Sequence, residues 1–235
     1  MNLTNADIKD LKDKRYRREH GLFMIEGDKF CRDLLATDIE IVYTITSNRD
    51  LKGFPNIEVV SDKMLSSLAT TKTSQTIVCI CRVKGYPVVS VGNSIILDRV
   101  QDPGNVGTLI RSAMAFGYSD IYLIDCADAY SEKVLRSSVG TALSARLHMV
   151  SHEDIVAHKD DIADIFMVAD MLGERLGDIQ LPKGRFSVII GNEGQGVSEA
   201  MRSLANLSVS IPMSGNVESL NAGVAGSIIM QRLSE

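Results

Sequence analysis

Short apolar runs rich in β-branched residues recur along the chain, separated by amphipathic stretches, which is the pattern of an α/β protein. Residues 22–26, 39–46, 57–60 and 77–83 read as strands, bounded by polar and glycine-containing turns. Thr4 is placed to cap a helix running toward Arg18, and Ser61 to start one between the last two strands. These elements describe a small α/β unit over residues 1–84. From 85 to 93 the pattern breaks at Gly85, Pro87, Gly92 and Asn93, residues with turn chemistry, and this stretch reads as a linker. A second series fills residues 94–235. Strands are expected at 94–97, 120–124, 165–169, 186–190 and 207–211, and helices at 106–116, 132–139, 154–162, 199–204 and 222–233. Alternation of this kind specifies a mostly parallel sheet covered on both faces.

Composition narrows the class of protein. Hydrophobic residues make up 45% and charged residues 23%, ordinary globular usage. No apolar run reaches the roughly 20 residues that span a bilayer, and the start of the chain has no basic-then-apolar leader, so a cytoplasmic location is expected. Cys31, Cys79, Cys81 and Cys126 lack C-x-x-C spacing, and His20, His148, His152 and His158 lack H-E-x-x-H spacing, so no metal is expected. The net charge of −5 argues against a protein that coats nucleic acid non-specifically. Its distribution is uneven. Lys9, Lys12, Lys14, Arg15, Arg17 and Arg18 crowd one predicted helix, whereas residues 153–178 are acidic, so one basic face is expected.

In a parallel α/β sheet, ligands collect beyond the carboxyl ends of the strands. Three loops there carry chemistry: 98–107, followed by a helix bearing Arg111; 191–198; and 212–221. Their glycines permit close backbone approach to a ligand, and their Asn, Glu and Ser side chains supply oriented donors and acceptors. Neither glycine loop has G-x-G-x-x-G spacing, no G-K-[ST] follows one, and no G-x-S-x-G elbow is present. Dinucleotide, P-loop and serine-hydrolase chemistries are therefore disfavoured.

The run Leu97-Asp-Arg-Val-Gln-Asp-Pro-Gly-Asn-Val-Gly-Thr-Leu-Ile-Arg111, with Ile190-Gly-Asn-Glu-Gly-Gln-Gly196 and Ile211-Pro-Met followed by Glu-Ser-Leu-Asn221, resembles in order the three motifs of the SpoU (TrmH-like) family of SPOUT methyltransferases. The resemblance implies a trefoil-knotted α/β domain, S-adenosyl-L-methionine as cofactor, a homodimer, and methylation of a ribose 2′-hydroxyl in ribosomal or transfer RNA. Base methylation and a catalytically silent RNA-binding homologue are the alternatives. By the same resemblance Gly191, Ile211, Met213 and Leu220 hold the cofactor, and Asn105, Arg111, Glu193, Ser219 and Asn221 form the catalytic set. The first 84 residues are similar to the L30e-like substrate-binding domain often fused to such enzymes, including Ile25-Glu26-Gly27 after a basic helix, although Thr76 in Thr73-Ser-Gln-Thr-Ile77 stands where glycine is expected. This assigns RNA contact to Lys14, Arg15, Arg17 and Arg18.

Overall fold

The computed structural model describes residues 5–68, 76–180, 183–215 and 219–234. Thr4, residues 73–75 and Glu218, singled out in the sequence, lie outside them. The chain divides into two compact units, one up to Lys84 and one from Gly85 onward.

The first unit contains α1 (Asn5–Asp10), α2 (Lys14–His20), β1 (Leu22–Glu26), α3 (Asp28–Leu34), β2 (Ile41–Thr46), β3 (Ile57–Val59), α4 (Asp62–Leu68) and β4 (Ile77–Arg82). Its strands form one sheet in the order β1-β4-β2-β3, antiparallel except for the β2/β3 pair. Ile8, Leu11, Leu22, Ile45, Leu65, Leu68, Val78 and Ile80 make its core. The single helix expected toward Arg18 is two. Leu11 is buried after α1, and Asp13 starts α2 by accepting from the N–H groups of Arg15 (2.7 Å) and Tyr16 (3.2 Å).

The second unit contains β5 (Ser94–Asp98), α5 (Pro103–Ala115), β6 (Asp120–Ile124), α6 (Glu132–Ser137), β7 (Arg146–Val150), α7 (His152–Ala157), α8 (Lys159–Ile162), β8 (Ile165–Arg175), β9 (Phe186–Ile190), α9 (Glu199–Leu204), β10 (Leu207–Ser210) and α10 (Ala222–Leu233). Its six strands are all parallel, in the order β10-β8-β9-β5-β6-β7. β5, β6 and β9 are buried at every position, as strands covered on both faces must be. On one face Ile155 of α7, Ile162 of α8 and Met201 of α9 pack against Ile96, Tyr122, Val168 and Ile189. On the other, α10 lies on α5 so closely that a Cβ on Gly226 would meet Leu109 at 2.3 Å and Ile190 at 3.3 Å. From β5 the chain proceeds through β6 and β7 on one side and later fills β8, β9 and β10 on the other. The reversal lies between β5 and β9, where doubly wound sheets open a crevice.

The segment 85–93 is laced to this second unit. Val91 N–H donates to Asp120 Oδ2 (3.1 Å), Ser90 and Tyr122 share a hydroxyl hydrogen bond (2.9 Å), and Asn93 Oδ1 accepts from Phe186 N–H (3.1 Å). The expected helix at 154–162 divides at His158, and β8 runs six residues beyond 169, to Arg175. Between Ser208 and Val209 its pairing with β10 jumps from Val168 to Glu174, so residues 169–173 bulge out of register.

Candidate active site

The three motif loops meet at one polar relay. Asp102 caps α5 by accepting from Gly104 N–H (2.6 Å) and Asn105 N–H (3.0 Å), and Pro103 needs no donor of its own at the first helical position. The helix thereby presents Asn105, whose Nδ2 donates to Glu193 Oε1 at 2.8 Å. Asn105 Oδ1 accepts from Asn221 Nδ2 at 2.7 Å, and Asn221 Oδ1 accepts from Val224 N–H at 3.2 Å, capping α10. Glu193, Asn105 and Asn221, each from a different motif, are thus fixed in orientation by one another.

Glu193 also accepts from the backbone N–H groups of Gln101 and Asp102, both at 3.3 Å. Burial would raise its pKa, but the Asn105 amide and the N–H groups of Glu193, Gln101 and Asp102 outweigh burial and hold it below the usual glutamate value. The group stays ionised and is a weak base.

The loop that carries Glu193 is a tight turn closed by paired hydrogen bonds between Asn192 and Gly196 (3.0 and 2.9 Å). Asn192 Oδ1 accepts from the N–H groups of Gly194 and Gln195, both at 2.9 Å. A Cβ on Gly191 would fall 2.4 Å from the backbone of Gly196 and Val197, so only glycine lets this turn fold back. The turn is moored to the first motif. Asn192 Nδ2 donates to the Arg99 carbonyl (2.8 Å), and the Arg99 guanidinium donates to Gln195 Oε1 (3.1 Å) and the Gly196 carbonyl (3.3 Å). Arg99 adopts φ 59°, a left-handed conformation that costs a non-glycine residue energy and here directs both groups at the turn.

Beside the relay lies a cleft of about 480 Å³, between the ends of β8, β9 and β10 and the start of α10. Gly191, Ile211, Met213 and Leu220, assigned to the cofactor from the sequence, all line it, as do Glu193, Ser219 and Asn221. Its volume lies within the range of cofactor sites. Ile190, Val209, Ala225 and Ile229 give it an apolar wall, and Glu193 and Asp170 bring carboxylates to it. Asp170 is held below the usual aspartate value by its ion pair with Arg202, assisted by Leu172 N–H. An apolar wall for a base, bent-back backbone and two ionised carboxylates for a cationic centre fit S-adenosylmethionine.

Asn105 sits one hydrogen bond behind the cleft. Arg111 does not line it. It lies six residues further along α5, exposed, and no carboxylate among the described residues pairs with it. On α2, Arg18 is exposed and Arg15 pairs with Glu19 (2.7 Å), whereas Arg17 turns inward to donate to the Leu11 carbonyl (2.6 Å) and Lys14 is half-buried. Residues 169–171, which line the cleft from the β8 bulge, were not singled out in the sequence. The strand-end rule would have found them, because 169 closes the expected strand. Among the described residues no group of three His, Cys, Asp or Glu is arranged to hold a metal, and no helix is long and apolar enough to cross a membrane.

Residues 92–231 match the model of the SpoU rRNA methylase family, and residues 5–79 that of the MRM3-like substrate binding domain. The chain is 30% identical to the 23S rRNA (guanosine(2553)-2′-O)-methyltransferase RlmP of Bacillus subtilis, over 97% of this chain and 94% of that protein. Among solved structures, an AdoMet-bound rRNA methyltransferase from Sinorhizobium meliloti superposes with a TM-score of 0.85 at 26% identity, covering 97% of this chain and 93% of that one. The SpoU methyltransferase AviRb from Streptomyces viridochromogenes, in complex with AdoMet, shares the fold, with a TM-score of 0.85 at 23% identity over 100% of this chain and 97% of that one.

Proposed function

The chain belongs to the SpoU rRNA methylase family, and from that membership we propose that it transfers a methyl group from S-adenosylmethionine to a ribose 2′-hydroxyl of ribosomal or transfer RNA. The observation that carries this reading is the relay from Glu193 through Asn105 to Asn221 beside a cleft that fits the cofactor.

The cofactor supplies an electrophilic methyl group on a sulfonium centre. Ile211, Met213 and Leu220 bind its apolar parts, and Gly191 lets the backbone approach. Glu193 and Asp170, both on the lining of the cleft, would supply negative charge near the cation. With both oxygens taken by the Asn105 amide and the N–H groups of Gln101 and Asp102, and with its basicity lowered by them, Glu193 serves to orient Asn105 and the first-motif backbone rather than to take the hydroxyl proton. Ser219 and Asn221, which line the cleft, would place the hydroxyl for transfer, with Asn105 holding Asn221 and Glu193 from behind, and placement of this kind is worth up to roughly 7–11 kcal/mol. Arg111, always protonated, binds the neighbouring phosphate and stabilises the oxygen as its proton passes to solvent.

The position of Arg111 outside its own cleft supports action in a homodimer. Thr108 and Ser112 touch α10 at Gly223 and Ser227 and border Arg111 on α5, while Val224 and Ile228 are 46% and 39% exposed on α10. A second copy against this two-helix face buries those side chains and brings Arg111 to the partner's cleft. The reading includes a trefoil knot formed by the segment after β10. Its support is that β10 lies at the sheet edge, whereas α10 returns to pack on α5 and Ile190. In the first unit, Arg15 and Arg18 of α2 are the cations best presented to RNA, with Lys14 and Arg17 beside them. An RNA substrate and four free cysteines fit the cytoplasm.

Calorimetric titration with S-adenosylhomocysteine, NAD and ATP tests the cleft. Binding of S-adenosylhomocysteine alone is expected, and preference for either nucleotide would refute the assignment.

A further inference from the structure

Around the buried end of β5, a partly buried cluster of polar side chains has no part in the chemistry of the cleft. Asp98, the last residue of β5, is fully buried. Its Oδ2 accepts from Ser198 N–H at 2.5 Å, and its Oδ1 meets His152 Nε2 at 2.9 Å and Arg99 Nε at 3.2 Å. Ser198 Oγ is itself 3.1 Å from His152 Nε2 and caps α9 by accepting from Met201 N–H. Serine, histidine and aspartate together invite comparison with a nucleophilic triad, but the geometry rules that out. In a triad the serine and the carboxylate use opposite nitrogens of the imidazole, whereas here both meet the same one.

The cluster is a clamp. Asp98 anchors both ends of the connection between the first and second motifs: Arg99, which grips Gln195 and Gly196, and Ser198, which follows the turn. A carboxylate with four lone-pair sites and no donor of its own requires a donor on each oxygen. His152, the first residue of α7, supplies one from a third element. Burial would raise the pKa of Asp98, but Ser198 N–H, His152, the Ser198 hydroxyl and Arg99 outweigh it and keep it below the usual aspartate value, so the clamp is held as an anion. Loss of the His152 donor leaves a buried carboxylate oxygen short of a partner and frees Asp98 to turn. Arg99 and Ser198 then follow, and with them the turn that aims Glu193.

We propose that His152 is a positioning residue for methyl transfer, acting through Asp98, Arg99 and Ser198 to hold the Glu193 turn against the first motif. The inference rests on the functional reading above for its kinetic consequence, although the clamp itself can be measured without it.

The test compares His152→Gln, whose amide retains a donor of similar reach, with His152→Leu, which retains volume only, and His152→Ala. Turnover is measured per S-adenosylhomocysteine-binding site, and hydrogen exchange is followed at the amides of Gly194, Gln195 and Ser198. Leu and Ala are expected to lose about tenfold or more in kcat, since displacing a reacting geometry by about 1 Å costs on the order of 100-fold. Protection at Ser198 should fall with it. Gln should restore both. If Leu matches the wild type, or Gln is as poor as Ala, His152 only fills space and the proposal fails. A wild type that transfers no methyl group to any RNA would instead overturn the functional reading, and the exchange data would still decide the clamp.

Discussion

The Glu193 carboxylate takes hydrogen bonds from one side chain and from backbone N–H groups of two neighbours, and that arrangement decides what the residue can do. Held ionised, it is an anchor for geometry, which leaves Arg111 as the electrostatic partner of the reacting oxygen. Arg111→Lys keeps the charge but loses the planar fork. It is expected to lower kcat by roughly 100- to 1,000-fold, the scale of losing one such stabilising group, while leaving the affinity for S-adenosylhomocysteine unchanged. Stopped-assay kinetics with calorimetry would check both. Asp98 and Asp120 give a second prediction. Burial opposes their ionisation, yet the partners of Asp98, and for Asp120 His148, Val91 N–H and Arg146, pull both below the usual aspartate value. A lowered folded value contributes stability above the unfolded value near 3.9, and that stability is lost as pH falls through the folded one. The urea midpoint should therefore fall steeply only below about pH 4. Asp120→Asn should be less stable at pH 7 and show a shallower acid decline. The loops that carry Asn105, Glu193 and Asn221 were legible in the sequence as strand-end loops and through their resemblance to the family's three motifs. The Asp98–His152 pairing was not, because it joins residues 54 apart through a packed interior, with no spacing to betray it.

At the scale of elements, glycines mark where backbones come closest. Gly191→Ala would place a Cβ 2.4 Å from the Gly196 carbonyl carbon, and Gly173→Ala one 2.5 Å from that of Ser208. Each is expected to cost about 1–3 kcal/mol by overpacking. The effects should differ in kind. Gly191→Ala opens the Glu193 turn and weakens S-adenosylhomocysteine binding beyond its fall in Tm, whereas Gly173→Ala pushes β8 from β10 and lowers chiefly Tm. Differential scanning calorimetry with and without ligand separates the two. The buried strands β5, β6 and β9 were legible as apolar runs, since a parallel strand covered on both faces has no polar side to show. β7 was missed. Its Arg146 and His148 break the apolar run, and it is Asp120 and Tyr122 on β6, which pair with Arg146 and stack on the His148 ring, together with the Tyr86 ring against both, that make those residues welcome there. α3 was missed because of its seven residues only Cys31 and Leu34 are buried, too short a pattern to declare a helical period.

At the scale of the whole molecule, the proposed pair of chains rests on the exposed Val224 and Ile228 of α10 and the exposed Arg111 of α5. Ile228→Asp is expected to shift the sedimenting species from dimer to monomer and to abolish turnover. Mixing Arg111→Lys with Glu193→Gln protein should restore some turnover, because one cleft of each mixed dimer then receives an intact set, and failure to recover any would place Arg111 within its own chain. The two-unit layout was legible from the break near residue 85, while the strand order and the return of α10 to α5 were not, because periodicity fixes elements and not their neighbours. The decisive chemistry lies at the 2′-hydroxyl. Its most direct measurement is incubation of the full chain with methyl-labelled S-adenosylmethionine and total RNA lacking the modification, followed by nucleoside mass spectrometry. A labelled 2′-O-methylnucleoside, absent with Arg111→Lys, is the predicted result. Label found only on a base, or no label from a folded protein that binds the cofactor, would contradict it.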